Sequence, residues 1–158
     1  MPRSKQQRQK APARAGKLRS GSAVMMLGGA DPALQPYRAH WSMGIYSGES
    51  SKTRHLDVPA GKRLVIEFVT ISAVLPKRQH TVVTFYVRSS PTLQTPYWFH
   101  PRISEPREGS RRSHGLSLCT RIYVDPGSRM EVTAARGPST SSDALVRVSV
   151  SGYLADVP

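Results

Sequence analysis

From Trp41 onward the chain alternates apolar and polar residues in short runs bounded by Gly, Pro and polar clusters, the signature of half-buried strands. WSMGIYS reads as a first strand and GESSKT as a polar hairpin loop before RHLDV. The longest apolar run, Lys62 to Leu75, places Leu64, Ile66 and Phe68 on one face and Val65 and Val69 on the other with Glu67. Two largely apolar faces predict a central strand. PKRQH then turns the chain into TVVTFYVRS, with Val83, Phe85 and Val87 on one side. Residues 89–115 are turn-rich and polar around Tyr97-Trp98-Phe99, and predict a long excursion with a single short strand. Alternation resumes with Leu116, Leu118, Ile122 and Val124, crosses the turn DPGSR, and continues with Met130, Val132 and Ala134. After the loop RGPSTSSD, the final segment points Val146, Val148, Val150 and Leu154 inward and Arg147, Ser149 and Ser151 outward. About seven or eight strands with turns between them predict an all-β fold, an antiparallel β-sandwich or jelly roll.

The same pattern divides the chain. Residues 31–40, DPALQPYRAH, read as a connector with two prolines, so that 34–158 form the sandwich and 1–33 a separate arm. Residues 1–30 hold Arg3, Lys5, Arg8, Lys10, Arg14, Lys17 and Arg19 and no acid; of the net +13 these seven leave +6 for the rest. With few bulky apolar groups the arm cannot bury enough surface to order itself. Such arms bind nucleic acid, lie on anionic membranes, front an export signal, or are solvated tails. Ala23-Val24-Met25-Met26-Leu27 before Gly28-Gly29-Ala30 is a short match to the apolar core and cleavage site of a signal, so a degenerate export signal is the other reading of the arm. No stretch approaches the ~20 apolar residues of a membrane span. The lone Cys119 cannot form an internal disulfide and leaves the redox compartment open. Its strand-like surroundings, SLCTRIYV, predict a small packed side chain.

Catalytic chemistry finds no constellation to act through. DVPAGKRLVIE has a Gly-Lys pair, but a phosphate loop needs more glycines, Ser or Thr after the lysine, and a following helix. Pro59-Ala60-Gly61 instead reads as a turn that sets Lys62 and Arg63 at the exposed start of a strand. A cupin-type metal site needs two histidines one residue apart with a glutamate and a distant histidine, whereas His40, His55, His80, His100 and His114 are scattered singly. There is no G-x-S-x-G elbow, and Cys119 has no evident base. Glu67, the odd acid in an apolar strand, is expected to face solvent or pair with an arginine, and Glu105 and Glu108 to pair with the arginines around them. The expectation is a chain with no enzymatic activity, catalytic residue, metal ligand or cofactor.

VPAGKRLVIE, the later RIYVDPGS and the ending VSVSGYLADVP resemble a group of small, uncharacterised, usually exported bacterial proteins. In that group a strand opening VPAGKRLVIE comes early, a strand-turn of the type R-L-Y-A-D-P-G comes late, and the chain ends in S-G-Y-L-V-D-V-P. The likeness covers roughly Leu34 to Pro158. It implies a compact β-sandwich and export, hence a secreted or periplasmic location, and no catalytic residues. The basic arm stands where the group carries a clear signal; if it is retained, a cytoplasmic location is expected.

Two kinds of partner remain. Tyr97, Trp98 and Phe99 with Arg102 close by form a candidate surface for stacking on sugar rings or an apolar protein partner, unless alternate members of the trio plug the core. Arg107, Arg111 and Arg112 are candidates for an anionic glycan or a phosphate, unless they only solubilise the loop. The function expected is an exported or envelope-associated binding module. The alternative is a coat-like structural protein whose basic arm neutralises nucleic acid ahead of a jelly roll.

Overall fold

The computed structural model describes residues 34–88, 94–105, 111–137 and 142–157, and these form strands and their connections with no helix. The strands are β1 (Leu34–Ile45), β2 (Ser51–Asp57), β3 (Lys62–Pro76), β4 (Thr81–Arg88), β5 (Gln94–Phe99), β6 (Arg102–Glu105), β7 (Arg111–Val124), β8 (Arg129–Arg136) and β9 (Ala144–Asp156). They make a five-stranded sheet ordered β1-β9-β3-β7-β6 and a four-stranded sheet ordered β2-β8-β4-β5. Every pairing is antiparallel. With the short β6 set aside, consecutive strands up to β4 alternate between sheets in the order of a jelly roll.

The sheets pack face to face over one apolar core. Met43 and Ile45 of β1, Leu64, Ile66, Val69, Ile71 and Leu75 of β3, Val83, Phe85 and Val87 of β4, Met130, Val132 and Ala134 of β8, and Val146, Val148 and Val150 of β9 are buried in it. The period-2 patterns of β4, β8 and β9 therefore turn as expected.

Three boundaries differ from the sequence reading. Of the expected connector 31–40, residues 31–33 lie outside the described residues and 34–40 are the first half of β1, paired with β9 from Leu34↔Ala155 onward. Pro36 is accommodated because β1 is an edge strand, where a missing N–H costs no ladder bond. The 89–115 excursion holds both β5 and β6, and β7 starts at Arg111 rather than Leu116. The polar residues Arg111 to Gly115 were strand-forming because β3 supplies a partner for each.

The Pro59-Ala60-Gly61 turn before β3 and the Asp125-Pro126-Gly127 turn before β8 meet in space. Gly61 and Gly127 both have positive φ, 75° and 66°, where a Cβ would be strained. Val58 N–H donates to the Ser128 carbonyl at 3.0 Å and Gly127 N–H to the Pro59 carbonyl at 3.3 Å. Lys62 is the surface charge expected of it, with Nζ 2.7 Å from the Asp156 carboxylate in an exposed pair that contributes at most about 1 kcal/mol.

Candidate functional site

The chemistry-bearing surface begins with a break in phase. β3 sends Leu64 and Ile66 inward, then Val69, Ile71, Ala73 and Leu75, so the buried parity changes between Ile66 and Val69. A bulge at Glu67 takes up the extra residue: Ile66 faces Gly152 of β9, and Phe68 faces the very next one, Ser151. On the other side Ile66 and Phe68 face Ile122 and Cys119 of β7. Strict alternation put Phe68 on one face with Leu64 and Ile66; the bulge turns it to the outer face instead, 39% exposed.

Phe68 there borders a shallow recess of about 180 Å³ lined also by Arg38, Thr70, Ser149 and Ser151. Its floor is set by register, since Arg38 opposes Ser151, and Ser149 lies between His40 and Thr70. His40 Nδ1 and Ser149 Oγ are 2.8 Å apart, which fixes one wall. One row further along the face, Arg147 opposes both Ser42 and Ser72. Among the described residues no carboxylate lies within ion-pair distance of Arg38 or Arg147, while the adjacent acid, Glu67, is engaged with Arg121 at 3.9 Å. Guanidinium, aromatic face and hydroxyls together suit an anionic ligand that also presents a planar or apolar ring.

Cys119 is exposed on the same face, because it opposes Phe68, and is not the packed side chain its neighbours suggested.

The aromatic trio and the arginines do not assemble into one site. Phe99 is buried with its ring 4.7 Å from that of Phe85, and Tyr97 packs against the same core. Trp98 alone points outward, 59% exposed on the four-stranded sheet and edge-on to Tyr86 at 6.4 Å. Arg102, Arg111 and Arg112 belong to the five-stranded sheet, with Arg111 beside Lys77 on a second open recess of about 290 Å³. Arg107, Glu108 and the arm residues Arg3, Lys5, Arg8, Lys10, Arg14, Lys17 and Arg19 lie outside the described residues.

Charge is distributed unevenly between the two ends of the sandwich. At one end Lys62 pairs with Asp156, Arg63 with Asp125 and Arg129 with Asp57. At the other, Lys77, Arg78, Arg111 and Arg112 have no carboxylate within ion-pair distance among the described residues. Arg78 also occupies positive φ, 69°, at the tip of the β3–β4 turn.

No three His, Cys, Asp or Glu side chains converge as a metal ion would require, among the described residues. The histidine that the sequence left inconspicuous is His114. It faces inward from β7 opposite Ala73 and Ile103, is buried, and among the described residues neither ring nitrogen makes a well-formed hydrogen bond. Burial holds its pKa below the ordinary value of 6.5; the nearby Arg112 and His80 push the same way, and the Pro101 carbonyl opposes them. The folded state thus binds this proton less readily than the unfolded chain, so stability is full above the ordinary value and falls as pH drops through it. Urea midpoints measured between pH 7.5 and pH 5 should decline, and His114→Leu should flatten the decline; an equal slope in both proteins would remove His114 as its source.

No protein-family model matches the chain, and a search of curated protein sequences finds no significant match.

Proposed function

We propose that this chain is a non-catalytic jelly-roll binding module that takes its ligand on the outer face of the five-stranded sheet. Phe68 carries the reading. Burying a phenylalanine stabilises a fold by about 1.5–3 kcal/mol, yet a bulge holds this one 39% exposed at the rim of a polar, cationic recess. Bulges that re-aim a side chain are a recurrent way of building sites on sheets. The likeness of VPAGKRLVIE, RIYVDPGS and SGYLADVP to exported bacterial proteins supports action outside the cytoplasm or at the envelope.

The test is an array of glycans, acidic polysaccharides and homopolymer oligonucleotides probed with the full chain. A ligand retained by the wild type should be lost by Phe68→Ala and kept by Trp98→Ala. Loss with Trp98→Ala alone would move the site to the four-stranded sheet.

A second reading is favoured by the strand order together with the basic arm ahead of β1: a coat-like shell protein whose arm neutralises packaged nucleic acid by counterion release. Intact mass of the protein from its native host separates the two. Loss of about thirty N-terminal residues in an exported fraction supports the module, and a full-length chain in nucleic-acid-containing particles supports the coat.

A further inference from the structure

Resting on the Phe68 recess as the binding face, we infer that its ligand is a single-stranded nucleic acid, with a base stacked on Phe68 and the backbone held by Arg38 and Arg147. Binding of single strands without sequence readout combines a cationic track for phosphates with an aromatic on which bases stack. Both parts are present on one face. Arg38 and Arg147 stand two rows apart on neighbouring strands, separated by the His40–Ser149–Thr70 row, and Phe68 brings a phenyl ring to the recess. The hydroxyls of Thr70, Ser149 and Ser151 fill the ground between them, offering donors to phosphate and acceptors to base edges, and among the described residues no carboxylate lines the recess.

A polyanion lacking rings would use the arginines and leave Phe68 idle; a neutral glycan would use Phe68 and leave the arginines idle. A single strand of nucleic acid uses both, and its flat bases cover a phenyl face more fully than the puckered rings of an acidic polysaccharide.

The experiment is fluorescence anisotropy of a labelled oligothymidylate of about 15 nucleotides, with heparin as the acidic polysaccharide, on the full chain across a salt series. Arg38→Gln should reduce the slope of log affinity against log salt by about 0.7, the single-strand value for one phosphate contact. Phe68→Ala should weaken oligonucleotide binding about 5- to 100-fold at every salt concentration, with the slope unchanged, and leave heparin binding as it was. Phe68→Tyr, which keeps the ring, should restore it. If Phe68→Ala and Arg38→Gln weaken heparin but not the oligonucleotide, the recess stands and the nucleic-acid assignment falls. If neither variant alters either probe, the recess itself is not the binding face and the arm alone holds the polyanion.

Discussion

Gly152→Ala is expected to lower the thermal unfolding midpoint by roughly 10 °C, because among the described glycines it is the one where an added Cβ runs into backbone. Gly152 sits on β9 opposite Ile66, at the step where β3 bulges. A Cβ there would lie well inside van der Waals contact of the Val65 carbonyl oxygen, and crowd the Val65 carbonyl carbon and the Ile66 Cα. All three obstacles are backbone atoms of the central strand, so no rotamer change relieves them. Overpacking a well-filled interior costs about 1–3 kcal/mol when side chains can adjust. With backbone as the obstacle the upper end applies, and about 3 kcal/mol corresponds to roughly 10 °C for a domain of this size. Gly115→Ala is the control. Its Cβ would meet only the Ser104 side chain at 3.5 Å, an ordinary contact. Removing unfolded-state freedom there should leave the midpoint unchanged or raise it slightly. A Gly152→Ala protein that unfolds within about 2 °C of the wild type would mean that β3 and β9 do not approach as closely as the bulge requires.

The same bulge marks where the sequence stops being readable by alternation. The sandwich itself was legible: the apolar sets of β4, β8 and β9 turn inward as their spacing predicts, and the glycines of PAG and DPG take the positive φ that such turns need. Phe68 was not, because period-2 reasoning carries one phase through a strand, and a single inserted residue reverses everything beyond it. A signal was nevertheless present. Apolar residues at 64 and 66 followed by 69, 71, 73 and 75 change parity at Glu67, and an isolated Gly152 interrupts the β9 pattern at the position facing Ile66, next to that change. Neither anomaly identifies a bulge alone, since which strands are neighbours is not written in either segment. The outer-face recess is hidden for the same reason: Arg38, Phe68 and Ser149 are far apart in the chain and meet only through the β1-β9-β3 order. The Tyr97-Trp98-Phe99 cluster shows the converse. Three adjacent aromatics look like one patch, but their alternation already allowed Tyr97 and Phe99 to plug the core, and the strand does send only the middle one to the opposite side of the sheet.

Arg136 was legible least of all, and its loss should be felt nearly as strongly as the methyl at Gly152. Read as the opening of the RGPSTSSD loop, it is in fact the last residue of β8, continuing the inward phase of Met130, Val132 and Ala134. Its side chain is buried where the open end of the sandwich is closed by loops. Nε donates to the Glu49 carbonyl at 2.9 Å, Nη2 to the Tyr46 carbonyl at 2.7 Å, and Nη1 to the Ser142 carbonyl. One guanidinium thereby joins the β1–β2 turn to the chain leading into β9. The turn is tied further by Glu49, whose carboxylate accepts the Tyr46 N–H at 3.0 Å and lies 3.2 Å from Lys52 Nζ. That backbone donor, followed by the lysine, holds the Glu49 pKa below its ordinary value. Arg136→Met keeps the apolar stem but strips the donors from at least three carbonyls. Hydrogen bonds to a charged donor contribute about 1.5–3 kcal/mol each, and carbonyls near the rim recover part of this from water. The expected net loss is about 3 kcal/mol, again roughly 10 °C. Arg136→Lys should recover less than half of it, since an ammonium has the charge but not the planar fork that reaches three diverging acceptors. Amide exchange gives the local readout: the Ser47 N–H, bonded to Asp143 at 2.9 Å, and the Glu49 N–H, bonded to the Tyr46 carbonyl at 2.9 Å, should exchange faster in both variants. A lysine variant as stable as the wild type would show that charge alone closes this end, and that the geometry of the fork contributes nothing.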